Sequence, residues 1–116
     1  MYDMLGINPI LAFSTSNYDA MLKFLLDFGF VLKGGEDQLC PLFNQRRAAR
    51  LGYDDFEFNL EESSLAKASF SLLFTDFPDD RLERLKTTGY KFEYGAGLHG
   101  ECHSFKSPDG GIFAVT

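Results

Sequence analysis

The sequence predicts an α+β fold made of two tandem βαβββ modules within one domain. Three observations support this prediction: a length of 116 residues that suits one sizeable core, an internal repeat, and the same order of apolar strand, helix and further strands in each copy of the repeat. We place the modules at about residues 7–62 and 66–116, so that a single domain covers residues 1–116.

The internal repeat is visible when the chain is shifted by 60 positions, which aligns residues 15–35 with residues 75–95. Leucines at helical spacing and glycines at a helix end match, and these matches have a shared structural reason. The identical pairs are Thr15/Thr75, Asp19/Asp79, Leu22/Leu82, Leu25/Leu85, Gly29/Gly89 and Gly35/Gly95. We therefore interpret the chain as a duplicated unit.

Each copy begins with an apolar strand segment, PILAFST or SFSLLFT, and a helix follows. Asp19 and Asp79 suit the first turn of these helices, where a negative charge is favourable to the helix dipole. The paired leucines form an inward stripe, and the aromatic residues Phe24, Phe28, Phe70 and Phe74 are assigned to the core. Gly29 and Gly89 are predicted to end the helices as left-handed caps.

The rest of each copy is predicted to form strands. They are residues 30–33, 38–43, 47–53 and 56–60 in the first copy and residues 91–94, 102–106 and 111–115 in the second. An alternative left open is that one first-copy segment is a loop. The turn SPDGG joins the last two strands as a hairpin, because Pro108 fixes φ and Gly110 or Gly111 supplies a positive φ.

The net charge, the length of the apolar stretches and the spacing of the cysteines limit the partners and the environment expected for this chain. The net charge of -6 disfavours nucleic-acid binding, and the cluster of Arg46, Arg47 and Arg50 is interpreted as a solvated loop or strand edge rather than an anion site. No apolar stretch is long enough to cross a membrane. Cys40 and Cys102 lie far apart without a CxxC motif, which favours free thiols in a reducing cytoplasm.

The segments PILAFST, FLLDFGF and SPDG together resemble the vicinal oxygen chelate superfamily, which includes glyoxalase I, extradiol dioxygenases, fosfomycin-resistance enzymes and bleomycin-resistance proteins. The resemblance is greatest to the metal-free, bleomycin-resistance-like branch. It implies curved mixed sheets around a ligand cleft that dimerisation completes. We accordingly expect a homodimer in which an N-terminal arm with Tyr2, Met4 and Leu5 covers the neighbouring subunit.

The resemblance also implies where a metal would be held in this fold. The two first-strand positions fall on Pro9 and Ser69, and the closing positions fall on Ala114 and on Asn59, or on Glu57 if the register differs by two. Proline and alanine offer no donor atom, whereas a catalytic metal needs about three imidazole or carboxylate ligands. We therefore expect no metal and no cofactor.

The segment HGECH, residues 99–103, is a rival candidate for a metal or catalytic site. On a strand, His99 and His103 are separated by roughly 13 Å, too far apart to bind one metal. A pair such as His99 with Glu101 could still form a surface or cleft site. We interpret the segment as ordinary polar strand residues and Cys102 as an inert thiol.

The alternation of side chains along strands predicts the ligand cleft. It places Ala114, Ile112 and Thr116 on the cleft side and turns Phe113 and Val115 towards the helices. Tyr53, Tyr90, Tyr94 and Phe43, near strand ends or loops, are candidate ligand walls, and Glu57 could meet a positive charge. The predicted ligand-binding residues are Leu11, Phe13, Phe43, Tyr53, Glu57, Asn59, Ser69, Ser71, Leu73, His103, Ile112 and Ala114.

The function predicted from these features is small-molecule binding without a metal, by a protein of the bleomycin-resistance type that sequesters an aromatic or cationic ligand. The alternative is an enzyme of the same superfamily, a lyase, isomerase or dioxygenase, with a non-standard site that uses Glu57, Glu101 or His103. A third class, a subunit whose cleft is filled and whose role is partner binding, also remains open.

Overall fold

The computed structural model describes residues 11–40, 46–65, 69–97 and 100–116. Within these ranges the chain forms eight strands and two helices. They are β1 (Leu11–Thr15), α1 (Tyr18–Phe28), β2 (Val31–Cys40), β3 (Arg46–Tyr53), β4 (Phe56–Glu62), β5 (Leu72–Phe74), α2 (Asp79–Lys86), β6 (Phe92–Gly97), β7 (Gly100–Lys106) and β8 (Ile112–Val115). None of the helices described is long and apolar enough to cross a bilayer.

The strands form two four-stranded sheets with matching strand orders, β1-β4-β3-β2 and β5-β8-β7-β6. In each sheet the first strand of the module pairs in parallel with the last strand, and the other neighbours are antiparallel. The first strand and the helix precede the other three strands in both halves. This topology confirms the α+β fold of two similar βαβββ halves.

The two helices end in different ways. Gly29 caps α1 with a left-handed φ of 117°, and its amide donates hydrogen bonds to two carbonyl oxygens of the last turn at 3.2 and 3.1 Å, as predicted. The last residue of α2 is followed by Thr87 in a right-handed conformation. The hydroxyls of Thr87 and Thr88 donate to carbonyls three residues earlier at 2.7 and 2.6 Å. The prediction of Gly89 as the cap is therefore wrong, although Gly89 has a φ of 93°.

Strand β2 is a single element where the sequence predicted two segments. Its pairing with β3 shifts register between Leu32 and Gly34 and again between Gly34 and Gln38. Such irregularities interrupt the two-residue alternation of side chains without ending the strand, which explains why the sequence pattern predicted two separate strands. The part of the predicted second segment beyond Cys40 lies outside the described residues.

The hairpin between β7 and β8 confirms the predicted turn. The amide of Ser107 donates to the carbonyl of Gly111 at 2.8 Å, and the amide of Gly110 donates back to Ser107 at 2.9 Å. Gly110 supplies the positive φ, at 90°. The Ser107 hydroxyl accepts a further hydrogen bond from the amide of Gly111 at 3.0 Å, so this serine takes part in closing the turn.

One aromatic core joins the two modules. Phe24 and Phe28 of α1 lie with ring centroids 5.0 and 5.4 Å from that of Phe113 on β8, which belongs to the other module. Phe74 is buried in the same cluster and Phe70 packs against it, so all four aromatic core assignments are confirmed. The modules therefore share their buried apolar surface.

A polar contact also ties α1 to the second module. The Tyr90 hydroxyl donates to the Asp27 carboxylate at 2.6 Å, and Lys23 Nζ donates to the same oxygen at 2.6 Å. Partial burial alone would raise the pKa of Asp27, but the hydrogen bonds from Lys23 and Tyr90 outweigh it, so the pKa lies below its ordinary value of 3.8. The ionised carboxylate is therefore more favourable in the folded state than in the unfolded state.

Asp27→Asn is expected to lower the free energy of unfolding at neutral pH by about 1 kcal/mol, because a charge-assisted hydrogen bond is lost at a partly exposed position. The contribution of Asp27 is present above an unfolded-state pKa near 3.8 and is lost as the pH falls through the lower folded-state value. Urea denaturation at pH 7 and at acid pH measures it. The exposed Asp55→Asn serves as control, and an Asp27→Asn difference from wild type that is equal at both pH values would contradict the assignment.

Candidate functional site

Each sheet packs one side against the helices and leaves another side, called here the open face, turned away from them. In the second sheet the helix side carries Phe105, Phe113 and Val115, which are fully buried or nearly so. The strand pairing puts Ile112 and Ala114 on the opposite side. The predicted directions of these β8 side chains are thus confirmed.

Strand β5 adds to the open face of the second sheet. Leu73 pairs with Ala114 and is 40% exposed, and Ile112 is 43% exposed. Ser71 lies at the same edge, where its hydroxyl accepts a hydrogen bond from the amide of Ile112 at 2.9 Å. The fold therefore brings together Ser71, Leu73, Ile112 and Ala114, all of them predicted site residues. Ser69 is exposed just before β5.

The open face of the first sheet is charged and polar. Asn59 and Glu57 lie on this face, as predicted, because they alternate with the buried Phe58 and Leu60. Arg50 is the cross-strand partner of Asn59, and its Nε donates to Asn59 Oδ1 at 3.1 Å. The Asn59 carbonyl oxygen is thus already engaged by a guanidinium.

Alternation separates the members of the predicted arginine cluster. Arg50 points to the open face, whereas Arg47 lies over the Tyr18 ring of α1 at 4.6 Å. Arg47 forms ion pairs with Glu62 at 2.8 Å and with Asp19 at 2.9 Å. These contacts raise the pKa of Arg47, and the hydrogen bond to Glu62 has the largest effect. The interpretation as one solvated edge is wrong for these two arginines, because successive odd and even positions of β3 face opposite sides.

The prediction that Leu11 and Phe13 face the cleft is wrong. Phe13 stacks on Phe70 at 4.1 Å and packs against the core, and Leu11 shares its side of β1, although 55% of Leu11 is exposed. In the strand pairing, Thr15 corresponds to Phe74, whereas the sequence repeat aligns Thr15 with Thr75, one position further along. The first amide after β4, that of Ser63, donates to the carbonyl of Thr15. The first amide after β8, that of Thr116, donates to the carbonyl of Phe74. A one-residue shift exchanges the two faces of a strand.

Tyr53 and His103 also lie on the helix side rather than on an open face. Tyr53 packs on Phe74 with ring centroids 5.0 Å apart, at the rim of the core. His103 pairs with the buried Val115 across the strands and lies 4.6 Å from the Tyr94 ring. Partial burial and then the nearby Lys86 lower the pKa of His103. Phe43, the remaining predicted site residue, lies outside the described residues.

The HGECH segment is divided between the two sides of β7. The Tyr94 hydroxyl donates to Glu101 at 2.6 Å on the helix side, while Cys102 alternates to the open face as a half-buried free thiol. Cys102 Sγ lies 3.8 Å from the Ser104 hydroxyl. In the part of the chain that is described, no three histidine, cysteine or acidic residues are grouped so that they could hold a metal. His99 and Pro9 fall outside that part.

A concave pocket of about 700 Å³ lies at the outer edge of the second sheet. Only Ile112 among its lining residues was predicted as a site residue, and Tyr90 was named as a candidate wall. The lining residues are Tyr90, Lys91, Phe92, Glu93, Ser104, Lys106, Gly110 and Ile112. Sequence reasoning missed both lysines. The signal that could have found Lys106 is its pairing with Ile112 across the predicted hairpin.

Comparisons with known proteins find similarity in solved structures. No protein-family profile matches the chain, and no curated protein matches it. A bleomycin-binding protein complexed with bleomycin is similar with a TM-score of 0.62 at 13% identity. The aligned region covers 94% of this chain and 96% of the bleomycin-binding protein. TnmS3, an antibiotic binding protein from Streptomyces sp. CB03234, has a TM-score of 0.64 at 19% identity and covers 95% of both chains.

A third similar structure is the fosfomycin resistance protein FosX from Listeria monocytogenes, complexed with Mn(II) and 1S,2S-dihydroxypropylphosphonic acid. It has a TM-score of 0.68 at 13% identity and covers 94% of this chain and 89% of its own. The likeness extends over nearly the whole chain at low identity, and what it establishes is the fold. This chain has the fold of the vicinal oxygen chelate proteins, as the sequence resemblance predicted.

Proposed function

We propose that the protein is a metal-independent small-molecule binding protein that sequesters an aromatic or cationic ligand in a cleft completed by a second copy of the chain. The observation that carries this proposal is the open face of the second sheet. Leu73 and Ile112 are left uncovered there beside Ala114 and Ser71, which gives an apolar surface with the Ser71 hydroxyl at its edge. Such surfaces stabilise ligands by contact and desolvation.

Two further observations support small-molecule binding. Two of the similar structures are described as a bleomycin-binding protein complexed with bleomycin and as an antibiotic binding protein. In addition, Glu57 lies exposed on the open face of the first sheet, where it could meet a positive charge on a ligand. We therefore include Glu57, Asn59, Ser69, Ser71, Leu73, Ile112 and Ala114 in the proposed cleft.

An enzyme of the superfamily is the second candidate, because FosX has the same fold and its structure contains Mn(II). The open-face position predicted to close a metal site carries Ala114, and Asn59 is already hydrogen bonded to Arg50. Alanine has no donor atom, and an engaged amide oxygen is a poor ligand. These side chains favour binding over metal-dependent catalysis.

The proposed cleft is expected to raise the melting temperature of the protein in the presence of a suitable ligand. A thermal-shift panel of cationic, anionic and neutral aromatic compounds identifies the best one. Ala114→Trp should then weaken its affinity by about tenfold or more, since the indole fills the face, whereas Ala20→Trp on the exposed side of α1 should not. Equal affinities for these two variants would place the site elsewhere. Stoichiometric, tight binding of Mn(II), Zn(II), Ni(II) or Fe(II) would favour the enzyme.

The homodimer is expected to have twice the 13.1 kDa mass of the chain in light scattering at micromolar concentration. A two-fold contact is the commonest closed arrangement, and in this proposal it closes the cleft beside the exposed Leu73. The N-terminal arm that we assign to this contact lies outside the described residues. A monomer mass at that concentration would contradict the proposal, and Leu73→Lys should shift the equilibrium towards monomer if this face forms the contact.

A further inference from the structure

The pocket at the outer edge of the second sheet has a charge pattern that the proposed cleft does not explain. Lys91 and Lys106 face each other across β6 and β7, since the amide of Lys106 donates to the carbonyl of Lys91 at 3.4 Å. Lys106 pairs in turn with Ile112 on β8. Paired residues of neighbouring strands point to the same face, so two ammonium groups and one apolar side chain form a row across the open face.

Two like charges directly opposite each other on adjacent strands repel and destabilise the sheet. Glu93 also lines the pocket and leaves a net charge of +1 among its lysines and glutamate. Among the residues described, neither lysine ammonium lies within ion-pair distance of a carboxylate. The pocket is therefore a positive region in a chain whose net charge is -6. An anion placed between the two lysines would relieve their repulsion.

The apolar part of the pocket is held in place by the core. Tyr90 borders the pocket at its rim, where its ring packs against α1, 5.0 Å from that of the buried Phe24, and its hydroxyl is fixed by Asp27 at 2.6 Å. Ile112 supplies the apolar side chain of the open face, whereas Phe92 borders the pocket with its ring turned to the helix side, 5.2 Å from that of the buried Phe105. The volume of about 700 Å³ is within the range of small-molecule sites. A fixed wall reduces the entropy lost when a ligand binds.

We infer that this pocket binds a small organic anion, with its carboxylate or phosphate group between Lys91 and Lys106 and its apolar part against Ile112. The inference is independent of the proposed cleft, whose polar residue Glu57 suits the opposite charge. Of the proposed cleft residues, the pocket shares only Ile112. The charge-assisted hydrogen bonds from the two ammonium groups supply the selectivity for anions.

The test uses the full chain and four probes that differ mainly in charge: benzoate, phenyl phosphate, benzamide and benzylammonium. Titration calorimetry should show binding of one or both anions and much weaker binding of benzamide and benzylammonium. Comparison of benzoate with phenyl phosphate tells which anionic group is preferred, and inorganic phosphate alone reports how much the apolar wall contributes. Affinity for the anions should fall as NaCl is raised from about 50 to about 500 mM, because the charges are exposed to solvent.

The double variant Lys91→Gln/Lys106→Gln is expected to weaken binding of the preferred anion by about tenfold or more, which corresponds to the loss of charge-assisted hydrogen bonds. The matched control Lys33→Gln removes an exposed lysine of the first sheet and should change affinity by less than about twofold. Circular dichroism checks that both variants fold. Binding unchanged in the double variant, or no binding of either anion, would overturn the inference.

Amide chemical shifts of the wild-type protein keep the test valid even if the double variant does not fold. Addition of the anion should move the resonances of Lys91, Lys106 and Gly110. Shifts confined to Glu57, Asn59 and Leu73 would instead place the anion in the proposed cleft and overturn the separate pocket. Failure of the cationic and neutral compounds of the thermal-shift panel leaves these pocket shifts unaffected, so the two proposals fail separately.

Discussion

Gly111→Ala is expected to lower the free energy of unfolding by about 3 kcal/mol, the upper end of the range for overpacking a well-packed site. A Cβ atom at this position would collide with the backbone carbonyl oxygen of Phe70 and lie 3.0 Å from the carbonyl carbon. Both are main-chain atoms, so no rotamer change can relieve the contact. The methyl group would push apart the segment that enters β5 and the hairpin that enters β8.

Urea denaturation of the variant measures this effect, and Gly95→Ala is the matched control. A Cβ at Gly95 meets no atom within 4 Å, and Gly95 lies exposed on β6. The control should change stability by no more than about 0.5 kcal/mol, as for most surface substitutions. Similar unfolding free energies for the two variants would contradict a close contact between Gly111 and the Phe70 carbonyl group.

Phe113→Ala is expected to lower the free energy of unfolding by about 3 to 5 kcal/mol, because a buried aromatic ring is replaced by a cavity. The ring is 0% exposed, and its centroid lies 5.0 Å from that of Phe24, 5.4 Å from that of Phe28 and 5.5 Å from that of Phe70. These contacts join α1 of the first module to the second sheet. The loss should therefore destabilise both modules together.

The measurement is denaturant unfolding followed by both far-UV circular dichroism and tyrosine fluorescence. We expect one cooperative transition with the same midpoint by both probes in the variant and in the wild type. Phe92→Ala, at a ring that is 39% exposed, is the control and should cost about 1 kcal/mol. Two separate transitions in Phe113→Ala would contradict a shared core and indicate that the modules unfold independently.

Local patterns in the sequence determined most of the secondary structure. Leucines at helical spacing predicted α1 and α2, and the turn SPDGG predicted the β7–β8 hairpin with Gly110 at positive φ. The directions of Phe113 and Val115 followed from alternation along a short, regular strand. Each of these features depends on residues that are close together in the sequence, which is why the sequence was sufficient to predict them.

The sequence repeat was less informative about the faces of the first strands. Aligning Phe13 with Leu73 put both on the cleft side, yet Phe13 stacks on Phe70 and Leu73 faces outwards. The segment between strand and helix has two residues, 16–17, in the first copy and four residues, 75–78, in the second, and only the pairing with the closing strands fixes the register. Alternation along β3 separates Arg47 from Arg50, and the pairing with β4 decides which of the two lies on the helix side.

The sequence by itself therefore determined the α+β fold, the duplicated βαβββ order and the aromatic composition of the core. Only the tertiary structure decided which side of β1 is buried, and which charged residues meet at the edge of the second sheet. The physical reason is that alternation along a strand is a local property, whereas the identity of the buried side depends on hydrogen bonds to a distant strand. Lys91 and Lys106, 15 positions apart in the sequence, become neighbours through the hydrogen bonds that pair β6 with β7.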